Sequence, residues 1–264
     1  MKDQVAVVTG AAQGLGEAMA LRFAQEGANV VVCDVDLDGA RELSKKITDM
    51  GRKSLFFKVD VTNIDHIKTM VQKTVDEFKR IDILINNAGI SDQLVPTIEQ
   101  DVDKWERCFD IHMKGTYLCC KEVGTVMVKN QYGRIVNMSS IAGLGGGAPW
   151  RTAYSPAKAA IIMLTKILAA EWAPLNINVN AVAPCHVMTN FVASLVKAGK
   201  LNPEAIIKRI PKGRMAKVEE VVNVVYFLCS EQSNFVTGQT IAVDGGHTAF
   251  GYFGMPSDYP AVRS

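Results

Sequence analysis

No stretch of this sequence approaches the ~20 consecutive apolar residues that a membrane-spanning helix requires. Neither sign of charge dominates: 29 Lys and Arg stand against 27 Asp and Glu, a net charge of +2. So even a balance gives no electrostatic case for binding nucleic acid or a membrane surface. The six cysteines show neither Cys-x-x-Cys nor Cys/His ligand spacing, and the four histidines (His66, His112, His186, His247) are scattered. No metal site is expected from such a pattern. Without a signal-peptide pattern ahead of Val5, the cysteines read as reduced thiols, and the expected location is the cytoplasm. Linkers, repeats and low-complexity segments are also missing. The 264 residues, 48% hydrophobic and 21% charged, therefore suit one domain spanning 1–264.

What the chain does have is alternation. Short β-branched runs are expected as strands at Val5–Val8, Val30–Cys33, Ser54–Val59, Ile83–Ile85, Arg134–Met138, Ile177–Val182 and Thr240–Val243. Between them, Glu17–Glu26, Leu37–Met50, Ile64–Phe78, Lys104–Val128, Ala153–Trp172 and Val218–Cys229 carry apolar residues at helical spacing. This order predicts an α/β fold, a doubly wound parallel sheet with helices on both faces. Ligands of such sheets bind beyond the carboxyl ends of the strands.

The first expected strand runs into Thr9-Gly10-Ala11-Ala12-Gln13-Gly14-Leu15-Gly16, which opens a helix directly. Glycines at this spacing let the backbone turn and approach a pyrophosphate, whose charge the helix N-terminus favours. Asp34 closes the second strand, where a carboxylate can hold both hydroxyls of an adenosine ribose and repel a 2′-phosphate. Neither Gln13 nor Val35 offers a cation to such a phosphate, so the expected cofactor is NAD rather than NADP.

A second constellation concerns protons. Tyr154 and Lys158 are four residues apart, on one face of a helix. A phenol titrates near pH ~10, and a cation beside it is expected to lower that value. Ser140, at the end of the apolar run Arg134–Met138, could offer a hydroxyl to the oxygen of an alcohol or ketone. Together they form a site for interconverting CH–OH and C=O. A second Tyr-x-x-x-Lys, Tyr117 to Lys121, falls inside an expected buried helix and reads as incidental.

With these motifs in order, the chain resembles the short-chain dehydrogenase/reductase family over nearly its whole length. The matching pieces are Thr9–Gly16, Asp60-Val61, Asn86-Asn87-Ala88-Gly89, Asn137–Ser140, Tyr154–Lys158, Asn180–Pro184 with Thr189, and Asp244-Gly245-Gly246. The resemblance implies a Rossmann fold with Asp60 and Val61 at the adenine and Asn87 beside a cofactor ribose. It implies Lys158 on the nicotinamide ribose, and the Val187 backbone with Thr189 on the carboxamide. Two positions depart from the family's pattern. His112 stands where the family has an asparagine that supports a water next to the lysine; a histidine titrating near neutrality could serve or extend that proton relay, or be a satisfied helix histidine. Cys185 stands where glycine usually follows Pro184, and reads as a small apolar spacer or a reactive thiol.

Substrate contacts are expected from Ser91–Thr97, Ile141–Arg151 and a lid at about 187–215, with Arg151 and His186 close to the reacting carbon and Trp150 as a pocket wall. The lid carries six cations against Glu204, so an anionic substrate stays open beside a solvated lid. The aromatic tail 248–264 is expected to pack on a subunit, since family members are commonly homotetramers. The reading is an NAD-dependent enzyme oxidising a small secondary alcohol, polyol or hydroxy acid. A 3-oxoacyl-thioester reductase and a cofactor-binding regulatory protein are the alternatives.

Overall fold

The structure, a computed structural model, describes residues 1–145, 149–199 and 201–250. Its strands are β1 (Val5–Thr9), β2 (Asn29–Asp34), β3 (Ser54–Lys58), β4 (Ile83–Asn86), β5 (Gly133–Met138), β6 (Ile177–Pro184) and β7 (Thr240–Val243). They form one sheet in the order β3-β2-β1-β4-β5-β6-β7, with every pairing parallel. Each lies within two residues of the run expected from the sequence; in the central strands β1, β4, β5 and β6 every residue is buried, which leaves little latitude in where a strand ends.

Helices α1 (Gly14–Gln25), α2 (Leu37–Asp49) and α3 (Ile64–Phe78) follow the first three strands. The expected helix 104–128 is instead α4 (Val102–Phe109), a π-helical turn at Asp110–Lys114, and α5 (Gly115–Asn130). Next come α6 (Tyr154–Trp172), α7 (Asn190–Lys197), α8 (Pro203–Ile207) and α9 (Val218–Cys229). The short helices α7 and α8 fall in the segment 187–215, and their apolar spacing is too brief to stand out in sequence.

Alternate residues of the strands feed two cores. Ala6, Val8, Val30, Val32, Ile83 and Ile85 pack with α1, α2 and α9. Val5, Val7, Val31, Leu84, Ile135 and Val179 pack with α3, α5 and α6. The order reverses between β1 and β4, which opens a crevice at their carboxyl ends. Tyr117 differs from expectation: it is 45% exposed on α5, and Lys121 faces Glu122 rather than the tyrosine. No described helix is long and apolar enough to cross a membrane.

Candidate active site

Backbone contact shapes the loop between β1 and α1. Gly10 has φ +60°, and a Cβ there would fall 2.7 Å from Ala88 Cα. A Cβ on Gly16 would fall 2.1 Å from the Gly10 carbonyl oxygen. On its other side the loop is open: around Gly14, at φ +63°, nothing lies within 4 Å of the Cβ position. Side chains fasten it to the end of β4. Asn87 Nδ2 donates to the Thr9 and Gly10 carbonyls at 3.1 and 2.8 Å, and the Thr9 hydroxyl accepts from Asn87 and Ala88 N–H. This leaves a loop with an open glycine corner at a helix N-terminus, the setting a pyrophosphate needs.

Asp34, at the tip of β2, accepts from Ala12 N–H at 2.9 Å and from Asp36 N–H at 3.0 Å. Its oxygens keep further lone pairs for ribose hydroxyls. Asp36 and Asp38 follow it, Val35 is 60% exposed, Arg41 pairs with Asp38, and Lys58 is the register partner of Asp34 on β3. Gln13 precedes α1 and makes no side-chain cap. At the end of β3, Asp60 accepts from the amide and hydroxyl of Thr62, while Val61 is buried.

On the other side, Tyr154 and Lys158 occupy the first turns of α6, and Ser140 follows β5. Ser139 Oγ donates to the Lys158 carbonyl at 2.9 Å, tying the strand end to the helix. Lys158 Nζ donates to the Met138 carbonyl at 2.7 Å and lies 5.5 Å from the Tyr154 ring centroid. Burial lowers the lysine to about 8. Burial also pushes the Tyr154 phenol above its usual range, and the nearby Ser140 hydroxyl and the Arg151 cation pull against that. The phenol is raised rather than lowered, and the cation that acts for the phenolate is Arg151 rather than the expected Lys158. Leu15, Asn87, Ser140, Tyr154, Lys158 and Val187 line one cleft of about 430 Å³. Glycine loop and proton-transfer groups therefore open into the same space.

His112 sits in the π-helical turn, 2% exposed. Its Nε2 faces the Ile90 carbonyl at 2.8 Å and the Ile90 N–H at 3.3 Å, and the shorter contact makes it the donor. Nδ1 is buried without a partner, and the ring meets Tyr154 edge-on, centroids 5.1 Å apart. Burial and the Lys158 charge take the imidazole down to about 3. Of the two readings the sequence left open, the carbonyl contact fits the satisfied helix histidine, and the lowered value leaves the ring neutral near pH 7.

Val187 bridges to Ala216, and the Thr189 hydroxyl accepts from Val192 N–H as the cap of α7. Burial pushes the half-buried Cys185 thiol up, which removes the reactive-thiolate reading. Trp150 is half exposed and does not line the cleft. Lys200 and the tail from 251 lie outside the described residues. Sequence reading missed Asp92. Its buried carboxylate accepts from Ala153 and Tyr154 N–H at 3.3 and 3.0 Å, and so caps α6, whose own residues supply no side-chain cap. The partners are 61 and 62 residues away, and no local pattern announces them.

Known proteins resemble the chain throughout. The family profile described as enoyl-(acyl carrier protein) reductase matches residues 10–248. A 3-oxoacyl-(acyl-carrier-protein) reductase of Thermotoga maritima is 39% identical over 93% of this chain and 98% of its own. Cis-4-hydroxycyclohexanecarboxylate dehydrogenase of Sinomonas cyclohexanicum is 40% identical over 94% of this chain and 97% of its own. The solved structure of ElxO with NADP bound superposes with a TM-score of 0.88 at 31% identity, over 95% of this chain and 100% of that one.

Proposed function

The chain belongs to the short-chain dehydrogenase/reductase family, and from that premise we propose that it oxidises small secondary alcohols, polyols or hydroxy acids with NAD. It is an oxidoreductase of that family, whose members take a nicotinamide cofactor. The observation that carries the proposal is the shared cleft, into which Ser140, Tyr154 and Lys158 open together with Leu15 of the glycine loop and Asn87.

In this reading Gly10, Gln13, Gly14, Leu15 and Gly16 take the pyrophosphate and Asp34 the adenosine ribose. Asp60 and Val61 meet the adenine, and Asn87 with Lys158 the nicotinamide ribose. The Val187 backbone and Thr189, whose hydroxyl still has its proton to donate, hold the carboxamide. A bound nicotinamide supplies the hydride acceptor. Ser140 orients the substrate oxygen, and the Tyr154 phenolate takes the hydroxyl proton. Phenolate formation against the burial of Tyr154 needs nearby positive charge, which Arg151 provides. His112 acts as a neutral positioning group: it holds Ile90 and buttresses the Tyr154 ring. The carboxylate of Asp34 and the acids around it support NAD, although ElxO carries NADP. The Sinomonas relative, named for oxidising a hydroxy acid, supports the substrate class. Apolar side chains left outside on α5 and α6, among them Met163 and Ile167 at 55% exposure, support a homotetramer. We place it in the cytoplasm.

The test is a panel of secondary alcohols, polyols and hydroxy acids assayed for NADH formation, with Tyr154→Phe as the partner variant. Turnover in the variant should fall ~10²–10⁴-fold, with NAD binding retained. The Thermotoga relative supports a second reading, reduction of 3-oxoacyl thioesters. Faster NADPH-dependent reduction of an acetoacetyl thioester would establish that reading and displace the first.

A further inference from the structure

We propose that Arg151 binds a carboxylate on the substrate, which makes the substrates small hydroxy acids and their keto acids rather than neutral alcohols; this rests on the dehydrogenase reading above. The guanidinium lies over the Tyr154 ring, its Cζ 5.4 Å from the centroid, near enough for its charge to act on the phenol. Its backbone is held on both sides. The Arg151 carbonyl accepts from Ser155 N–H at 3.1 Å, the Trp150 carbonyl accepts from Gln100 Nε2 at 3.1 Å, and Thr152 hydrogen bonds to Gln100.

The side chain itself has donors to spare. A guanidinium carries five N–H groups in a fork that fits a carboxylate. Arg80 and Arg214 spend theirs on Asp82 and Glu220. Among the described residues, Arg151 has neither an ion pair nor a hydrogen bond from its side chain, and Asp92, the buried acid next to this loop, is committed to the amides of Gln93, Ala153 and Tyr154. His186 is close enough to feel Arg151: burial and then that cation keep its imidazole below its ordinary range, hence neutral at pH 7. A half-buried cation with no hydrogen-bonded anion of its own thus lies over the Tyr154 ring, at the rim of the cleft which that ring lines. An acid bound there would satisfy the fork, and the guanidinium would cancel the charge that the acid brings to the Tyr154 phenolate.

The experiment uses the full-length protein with NAD and a ruler of secondary alcohols: lactate, β-hydroxybutyrate and γ-hydroxyvalerate, each beside its primary amide. At least one acid should be preferred over its amide in kcat/KM. That ratio should fall by about 10- to 100-fold in Arg151→Gln, the worth of a hydrogen-bonded charge pair, and recover in part in Arg151→Lys. Any loss caused by a less stable phenolate affects acid and amide alike and cancels in the ratio. Binding of butyrate and butyramide to the enzyme–NADH complex, read by NADH fluorescence, reports the same preference without turnover. Equal affinities in the wild type, or a preference for butyrate that survives in Arg151→Gln, would overturn the assignment of Arg151 while leaving the dehydrogenase reading intact. Failure of NADH to bind would bring down both.

Discussion

On the cofactor side of the cleft, backbone meets backbone; on the substrate side, side chains reach across distant stretches of chain. Gly10, Gly16 and Ala88 approach so closely that one methyl group has no place between them. Across the cleft, Asp92 holds α6 from 61 residues away, and Gln100 holds the loop before it at Trp150 and Thr152. Steric exclusion permits one residue type at a position, whereas a side-chain hydrogen bond can be replaced, moved or left to water. The first kind of construction suits a cofactor shared by many enzymes of the family, the second a substrate that differs among them.

Gly16→Ala strikes the tight side hardest. Its Cβ meets a carbonyl oxygen and the Cα of Ala11, neither of which can move alone. The variant should lose more than about 4 kcal/mol or fail to fold. Gly14→Ala, with open space at its Cβ, should lose only the left-handed backbone penalty of about 1–2 kcal/mol. Calorimetric melting of both decides: equal losses would mean that contact does not govern this side.

Asp92→Ala is the corresponding strike on the substrate side. It strips the acceptor from three backbone N–H groups, two of them at the start of the helix bearing Tyr154. The expected cost is about 2–3 kcal/mol. Turnover should fall about 10-fold or more, a loss of ~1.4 kcal/mol in the transition state, while NAD affinity measured by titration stays within error. A parallel loss of NAD affinity would show that the two sides are mechanically one.

His112 lies between them and should respond least. His112→Asn should keep most of kcat, since an amide can also bond Ile90, whereas His112→Leu should lower kcat with little change in KM. Neither variant should remove an ionisation near ~6.5 from the pH profile, because the native imidazole is neutral there. Stability carries the pH effect instead. As pH falls through 6.5 the unfolded chain binds a proton that the buried imidazole refuses until about 3, so acid destabilises the wild type. That loss is about 2 kcal/mol by pH ~5 and should be absent from the Asn variant in urea titrations at both pH values.

The fold was legible because the seven strands are short apolar runs, most of them rich in β-branched residues, and the helices between them carry apolar residues at helical spacing. Even so, the apolar spacing over 104–128 does not mark the π-helical turn at Asp110–Lys114, which only the backbone hydrogen bonding reveals. That turn is what delivers His112 to Gly89, Ile90 and Tyr154.

The glycine loop, Asp34 and the grouping of Ser140, Tyr154 and Lys158 were fixed by residue type and spacing, because each depends on a local geometry that few residues allow. Tertiary structure alone decided the charge states and the long-range partners. Burial raised Tyr154, lowered Lys158 to about 8 and silenced His112, and it reversed the expectation drawn from a lysine one turn away. It also turned Asp92 into a helix cap and placed Arg151 over the Tyr154 ring without a carboxylate of its own. Ionisation and pairing depend on which dielectric and which neighbours surround a group, and those are properties of the packed chain rather than of the residues in line.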